Sequence, residues 1–151
     1  MKILFVCTGN TCRSCMAEAI FNSYNDMVDI KASSAGINVV PHSVTSNNST
    51  AVVKELLGVD ISSRASVQID LEHISNADLI LTMTSNMKNW LKQQFPDFHS
   101  KVYSLNQYVG LKGDVLDPYG GSLEDYRTTF GQLKENILLL IEKLKKDTGI
   151  V

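Results

Sequence analysis

Short apolar runs alternate with amphipathic stretches along this chain. Strand-like runs occupy Lys2–Cys7, Asp29–Ser33, Asp78–Met83 and Lys101–Leu105. Helical patterns fall between and after them, from Cys15 to about Tyr24, Asn47 to Leu57, Ser85 to Phe95 and Ser122 to Lys146. The last is the most clearly written, because Phe130, Leu133, Ile137, Leu140, Ile141 and Leu144 recur at helical spacing on one face. Ser122, with Asp125 three residues on, has the pattern of a capping box. Strands alternating with helices predict right-handed crossovers and an α/β fold, a parallel sheet covered by helices on both faces. Gly36 to Ser49 and Gly58 to Ile69 are polar and turn-rich, and predict surface loops. Asn106 to Gly121 holds four glycines and Pro118 and predicts a long ordered loop, a kind that is usually functional. With no repeat, low-complexity tract or linker to divide it, residues 1–151 are expected to form one domain.

Composition narrows the class. A chain of 151 residues can bury roughly two thirds of its extended surface, and 44% apolar with 20% charged residues is ordinary for a globular protein. A net charge of −2 offers no basic footprint, which argues against nucleic acid or an anionic membrane as the main partner. No apolar run approaches the roughly 20 residues needed to span a bilayer. The N-terminal run Met1–Val6 is too short for a secretory segment. Cys7, Cys12 and Cys15 lie too close together to staple a fold as a secreted disulfide framework does. A cytoplasmic monomer is the expectation. His42, His73 and His99 have no carboxylate or cysteine at ligand spacing, so neither metal nor cofactor is expected.

The most informative stretch is Cys7-Thr8-Gly9-Asn10-Thr11-Cys12-Arg13-Ser14, directly after the apolar run Ile3–Val6. A cysteine at a strand end, a short loop, an arginine and a helix make a thiolate-based phosphate pocket. In open α/β sheets ligands gather beyond the carboxyl ends of the strands, and Cys7 sits at such an end. Gly9 is expected to take positive φ and let the loop curl, turning successive N–H groups inward as an anion nest. The helix that follows adds orphan donors and a partial positive charge. Arg13 supplies a planar fork matching two phosphoryl oxygens. The same field favours thiolate at Cys7. Ser14 can donate its hydroxyl to the Cys7 sulfur, and Asn10 is expected to tie the loop to neighbouring backbone.

Thiolate attack on phosphorus expels a leaving group that must be protonated, and water must then release the thiophosphate. One carboxylic acid can serve both steps. The glycine-rich loop offers Asp114 and Asp117, and spacing alone does not choose between them. Pro118 leans toward Asp117, because a residue before proline is held extended. Tyr119 either flanks the substrate or merely caps the loop.

The loop residues, with Asp117-Pro118-Tyr119-Gly120, resemble the low-molecular-weight protein tyrosine phosphatase family, and the likeness runs over essentially the whole chain. Ser34-Ala35-Gly36, Gly58-Val59-Asp60-Ile61-Ser62 and Ala77-Asp78-Leu79-Ile80-Leu81-Thr82-Met83 are further family-like stretches. The resemblance implies a four-stranded parallel sheet in a flavodoxin-like three-layer sandwich. It implies Cys7 as nucleophile, Arg13 as phosphate ligand, Asp117 as general acid, and Ser14 as hydrogen-bond donor to the sulfur. Phosphate or another oxyanion would sit among Thr8, Gly9, Asn10, Thr11, Cys12, Arg13 and Ser14, with Tyr119 beside it. Cys12 is the family-like redox partner of Cys7, and Cys15 is an additional thiol that could instead pair with Cys12. The family usually carries proline where this chain has Cys15. Family members that prefer phosphotyrosine usually carry a larger aliphatic residue where this chain has Thr11, and protein arginine phosphatases carry threonine. The implied partner is a phosphorylated protein, with phosphoarginine ahead of phosphotyrosine.

Three other readings compete. Cys12-Arg13-Ser14-Cys15 suggests a thiol–disulfide oxidoreductase, but that leaves the anion loop unexplained. An arsenate reductase of the same architecture relays oxidation through further cysteines, and Leu79 to Phe95 contains none. A phosphocarrier that never hydrolyses has no use for Arg13 and an acid.

Overall fold

The computed structural model describes residues 1–149; the last two positions of the expected domain lie outside it. The chain opens with β1 (Lys2–Cys7), α1 (Arg13–Tyr24), β2 (Lys31–Gly36) and α2 (Asn47–Leu57). It continues through α3 (Leu71–Asn76), β3 (Leu79–Thr82), α4 (Ser85–Gln94) and a 3₁₀ turn at Pro96–Lys101. β4 (Val102–Ser104), α5 (Leu105–Tyr108) and the long α6 (Leu123–Asp147) complete the order. The four strands pair in parallel in the order β2-β1-β3-β4, with Cys7 opposite Gly36 and Val6 opposite Thr82. This is the three-layer α/β arrangement expected.

Strand β1 shows why both faces are covered. Its side chains alternate, so Ile3, Phe5 and Cys7 enter a core with Met16, Ile20 and Phe21 of α1 and with Leu133, Ile137 and Leu140 of α6. Leu4 and Val6 enter the opposite core with Ile74, Ile80, Leu91 and Val102. Burying a side chain such as Phe5 contributes about 1.5–3 kcal/mol. The strand that carries Cys7 is therefore anchored from both sides. No helix among the described residues is long and apolar enough to cross a membrane.

Several boundaries differ from the sequence expectation, each for a local reason. Strand β2 runs later than Asp29–Ser33, because Asn25 closes a turn by donating to the carbonyls of Met27 and Ile30. Its polar Ser33-Ser34 pair still belongs to the sheet, opposite Leu4 and Phe5. Helix α1 starts at Arg13 rather than Cys15, straight out of the loop and with no side-chain cap. Helix α3 was not signalled by periodicity; Asp70 nucleates it by accepting from His73 N–H at 2.9 Å. The expected loop from Asn106 to Gly121 begins inside α5, which Ser104 caps through Gln107 N–H. At α6 the capping box is present as written, with Ser122 and Asp125 each bonding the other's backbone N–H.

Candidate active site

The loop from Cys7 to Cys12 leaves the end of β1 and is tethered on its outer side by its carbonyls. Cys7 O accepts from Ile37 N–H at 3.0 Å, and Thr8 O from Asn38 N–H at 2.9 Å. Asn10 O accepts from the Ser66 hydroxyl at 3.0 Å and the Cys15 thiol at 2.9 Å. Thr11 O accepts from Ser46 N–H at 2.9 Å, and Cys12 O from Met16 N–H at 3.0 Å. Because the peptide is planar and trans, each outward carbonyl turns the next N–H the other way, toward the concave side. That is the geometry of an anion nest, and the first turn of α1 extends it.

Gly9 does not supply the curl, contrary to expectation. The left-handed residue is Asn10, at φ 55°, while Gly9 lies outside positive φ and has room for a Cβ. Asparagine tolerates this region better than most side chains, and here its amide is fully used. Its Nδ2 donates to Ser14 Oγ at 2.7 Å and Ser34 Oγ at 3.0 Å. The glycine that the loop does require is Gly36, on the neighbouring strand. A Cβ there would stand 2.7 Å from Thr8 O and 2.9 Å from Asn10 N.

Cys7 is buried, and its sulfur lies 2.8 Å from Ser14 Oγ and 3.2 Å from Asn10 N, whose N–H donates to it. Arg13 is also buried; one guanidinium nitrogen donates to Val115 O at 3.3 Å, and another lies 3.5 Å from Asp117 Oδ2. That ion pair is long and its carboxylate is 56% exposed, so it contributes at most about 1 kcal/mol. Asp117 Oδ1 also accepts from Tyr119 N–H at 3.1 Å, an Asx turn that holds the carboxylate at the mouth. Asp114 points elsewhere, accepting from Ser85 N–H at 2.9 Å at the start of α4.

These groups meet in a cavity of about 380 Å³ lined by Cys7, Thr11, Arg13, Val40, Asp117 and Tyr119 among others. Thr8, Gly9 and Cys12 also face it, whereas the side chains of Asn10 and Ser14 are wholly buried behind the loop. Tyr119 is 81% exposed and forms part of the rim. Cys12 Sγ lies 3.4 Å from Tyr126 Oη, and burial pushes that phenol up to about 12, so it stays protonated beside the sulfur. Burial likewise pushes the Cys15 thiol up to about 12. A buried, protonated Cys15 that donates to Asn10 O is poorly suited to the redox role the sequence left open for it. All three cysteines are free. Asn38, Val40, Ser43 and Arg64 carried no signal in the sequence, because each is an isolated residue in a turn-rich loop.

An α/β sheet with a cysteine-centred oxyanion loop at a strand end, an arginine beside it and a carboxylate across the mouth defines a thiolate-dependent phosphoryl-handling class. Within it, the chain belongs to the low molecular weight phosphotyrosine protein phosphatase family, whose sequence model matches residues 2–149. It is 40% identical over 151 residues to a protein-arginine-phosphatase of Bacillus subtilis strain 168, covering 97% of this chain and 99% of that one. It is also 40% identical over 149 residues to PtpB of Staphylococcus haemolyticus, a low molecular weight protein-tyrosine-phosphatase, covering 98% and 100%. Among solved structures it superposes with a TM-score of 0.93, at 37% identity and over the whole of both chains, on a YwlE arginine phosphatase. That protein is a cysteine-to-serine variant with a phosphorylated active-site serine.

Proposed function

We propose that this chain is a protein phosphatase that hydrolyses phosphorylated protein side chains, phosphoarginine ahead of phosphotyrosine, through a cysteinyl-phosphate on Cys7. The observation that carries the reading is the Cys7 sulfur at the floor of the loop, bonded by Ser14 and Asn10 and faced by Arg13 and Asp117. Bound phosphoryl oxygens take the inward N–H groups from Thr8 to Arg13 and the fork of Arg13. The Cys7 thiolate attacks phosphorus in line; the S–P bond forms and the bond to the leaving nitrogen or oxygen breaks. Asp117 gives its proton to that leaving atom. Water then attacks the thiophosphate, Asp117 takes a proton from it, the S–P bond breaks, and inorganic phosphate leaves. The Ser14 hydroxyl bonds the sulfur as it departs with its electron pair.

Thr11 supports the arginine preference. It lines the cavity with a short branched side chain and a hydroxyl, which grips an aromatic ring less well than a longer aliphatic would and offers a polar contact to a guanidinium. The 40% identity to a protein-arginine-phosphatase is in keeping with it, though PtpB, a protein-tyrosine-phosphatase, is equally similar. The phosphotyrosine reading is favoured by Val40 and Tyr119, which give the cavity two apolar walls. Turnover of matched phosphoarginine and phosphotyrosine peptides tests both. Wild type should prefer phosphoarginine, and Thr11→Ile should lower kcat/KM for it while sparing or raising that for phosphotyrosine. One methylene in such a pocket is worth about 1–3 kcal/mol, so the change should be at least severalfold. Equal losses on both substrates, or a wild-type preference for phosphotyrosine, refute the arginine assignment. We place the protein in the cytoplasm, in keeping with its three free, closely spaced cysteines.

A further inference from the structure

Behind the loop, Arg64 reaches in from the segment between α2 and α3 and makes contacts that the chemistry above does not use. Its Nε and Nη2 donate to the two oxygens of Glu18 on α1, both at 3.2 Å. Nη2 also donates to Ser34 O at 3.2 Å and to Ser34 Oγ. Nη1 donates to Asn10 Oδ1 at 2.9 Å and to Cys15 Sγ at 3.3 Å. An exposed ion pair is worth little, but this one is mostly buried, with 17% and 23% of the two side chains exposed.

The direction of these bonds matters. Asn10 Oδ1 accepts from both Arg64 and Val67 N–H, so the amide must present its NH₂ to Ser14. Ser14 Oγ therefore accepts from Asn10, and its own hydrogen is left for the Cys7 sulfur at 2.8 Å. Reversing the amide would set its NH₂ against the Arg64 and Val67 donors and turn the Ser14 hydroxyl away from the sulfur.

Resting on the phosphatase reading, we propose that Arg64 is a positioning residue for the nucleophile. Clamped by Glu18, it fixes Asn10 in the left-handed turn and amide orientation that aim Asn10 N–H and the Ser14 hydroxyl at Cys7, and it sets a second cation behind that sulfur. The charged and titratable groups facing Cys7 are then Arg13, Asp117 and Cys12 around the cavity, and Cys15 and Arg64 with its partner Glu18 behind the loop. Burial works against the charge on Arg64, but its hydrogen bonds and ion pair with Glu18 outweigh it, and the guanidinium is held above its usual range. Cys15 stays a neutral thiol, so it does not compete for that cation.

The test compares wild type with Arg64→Met, Arg64→Lys and Glu18→Gln, each checked for folding by thermal melting. Three quantities are read: turnover, inhibition by inorganic phosphate, and iodoacetamide labelling of Cys7 against pH, located by peptide mass. Loss of one hydrogen-bonded charge predicts a fall in kcat of roughly 10- to 100-fold for Arg64→Met, with phosphate inhibition shifted less than about threefold. Its labelling curve should move to higher pH. Glu18→Gln, which keeps one amide oxygen to accept from Arg64 but removes the negative charge, should move it to lower pH, and Arg64→Lys should restore the curve but only part of kcat. An unmoved labelling curve in folded Arg64→Met, or phosphate affinity falling in step with kcat, overturns the proposal. Should Arg64→Met not fold, an unmoved curve in Glu18→Gln overturns it. A wild type inactive on every phosphate ester and phosphoramidate would instead refute the phosphatase reading, and the labelling curves would still decide the role of Arg64.

Discussion

Gly36→Ala puts one methyl group between strand β2 and the back of the phosphate loop. The new Cβ would lie 2.7 Å from Thr8 O, 2.9 Å from Asn10 N and 2.7 Å from Val39 Cγ2. Two of these are backbone atoms, so no side chain can swing clear. Ordinary contact needs strand and loop to separate by about half an ångström or more. Opposing that are the bonds from Ile37 N–H to Cys7 O and from Asn38 N–H to Thr8 O, at 3.0 and 2.9 Å. Overpacking of this kind costs about 1–3 kcal/mol, which in a chain of this size lowers Tm by about 2–4 °C per kcal/mol. The effect on chemistry should be larger in proportion. A misplacement of about 1 Å can cost about 100-fold in rate, so half of that predicts a fall of about tenfold in kcat/KM. Gly131→Ala is the control, because a Cβ at Gly131 meets nothing within 4 Å and the residue is exposed on α6. Replacing a helical glycine by alanine there should stabilise by about 0.5–1 kcal/mol and leave turnover unchanged. Thermal melting and steady-state turnover of a phosphoarginine peptide measure both. A Gly36→Ala protein with wild-type Tm and kcat/KM within twofold would refute the close-approach argument.

Asp117→Asn should lose about 100- to 10,000-fold in turnover, and less on substrates whose leaving group needs no proton. Asp114→Asn should keep turnover within about twofold, because Asp114 serves the start of α4 and the amide oxygen can still accept. A larger loss for Asp114→Asn in folded protein would exchange the two roles. Under mild peroxide, Cys7 sulfenic acid condensing with the Cys12 thiol expels water and forms a disulfide that reductant reverses. Cys12→Ala should therefore lose recoverable activity and accumulate Cys7 sulfinic acid, while Cys15→Ala should recover like wild type. Peptide mass mapping that finds a disulfide to Cys15 would show that the buried thiol reacts after all.

The strands and long helices were legible because their apolar periodicity reports packing directly: β1 and α6 lie within a residue of where the pattern puts them. The short elements were not. Helix α3 and the 3₁₀ turn span six residues each, too few for a period to show, and they rest on Asp70 and Pro96 rather than on an apolar stripe. The front of the site was legible as well, since Cys7, Arg13 and their loop are contiguous and Asp117 carries Pro118 beside it. Its back was not. Ser34 and Arg64 bond Asn10 and Glu18 accepts from both of them, from three separate segments, and nothing in a linear sequence marks three isolated polar residues as neighbours. Gly9 misled for a related reason: a glycine in a tight loop suggests positive φ, but a fully bonded asparagine took that conformation at Asn10.

The account turns on a phosphoryl group passing through Cys7, and rapid-quench mass mapping during turnover of a phosphoarginine protein tests that most directly. The account predicts one phosphoryl group on the Cys7 sulfur, formed and lost at rates that match kcat, and accumulating in Asp117→Asn as water attack slows. Turnover with no phosphoryl group on Cys7, or with one on any other side chain, would contradict it.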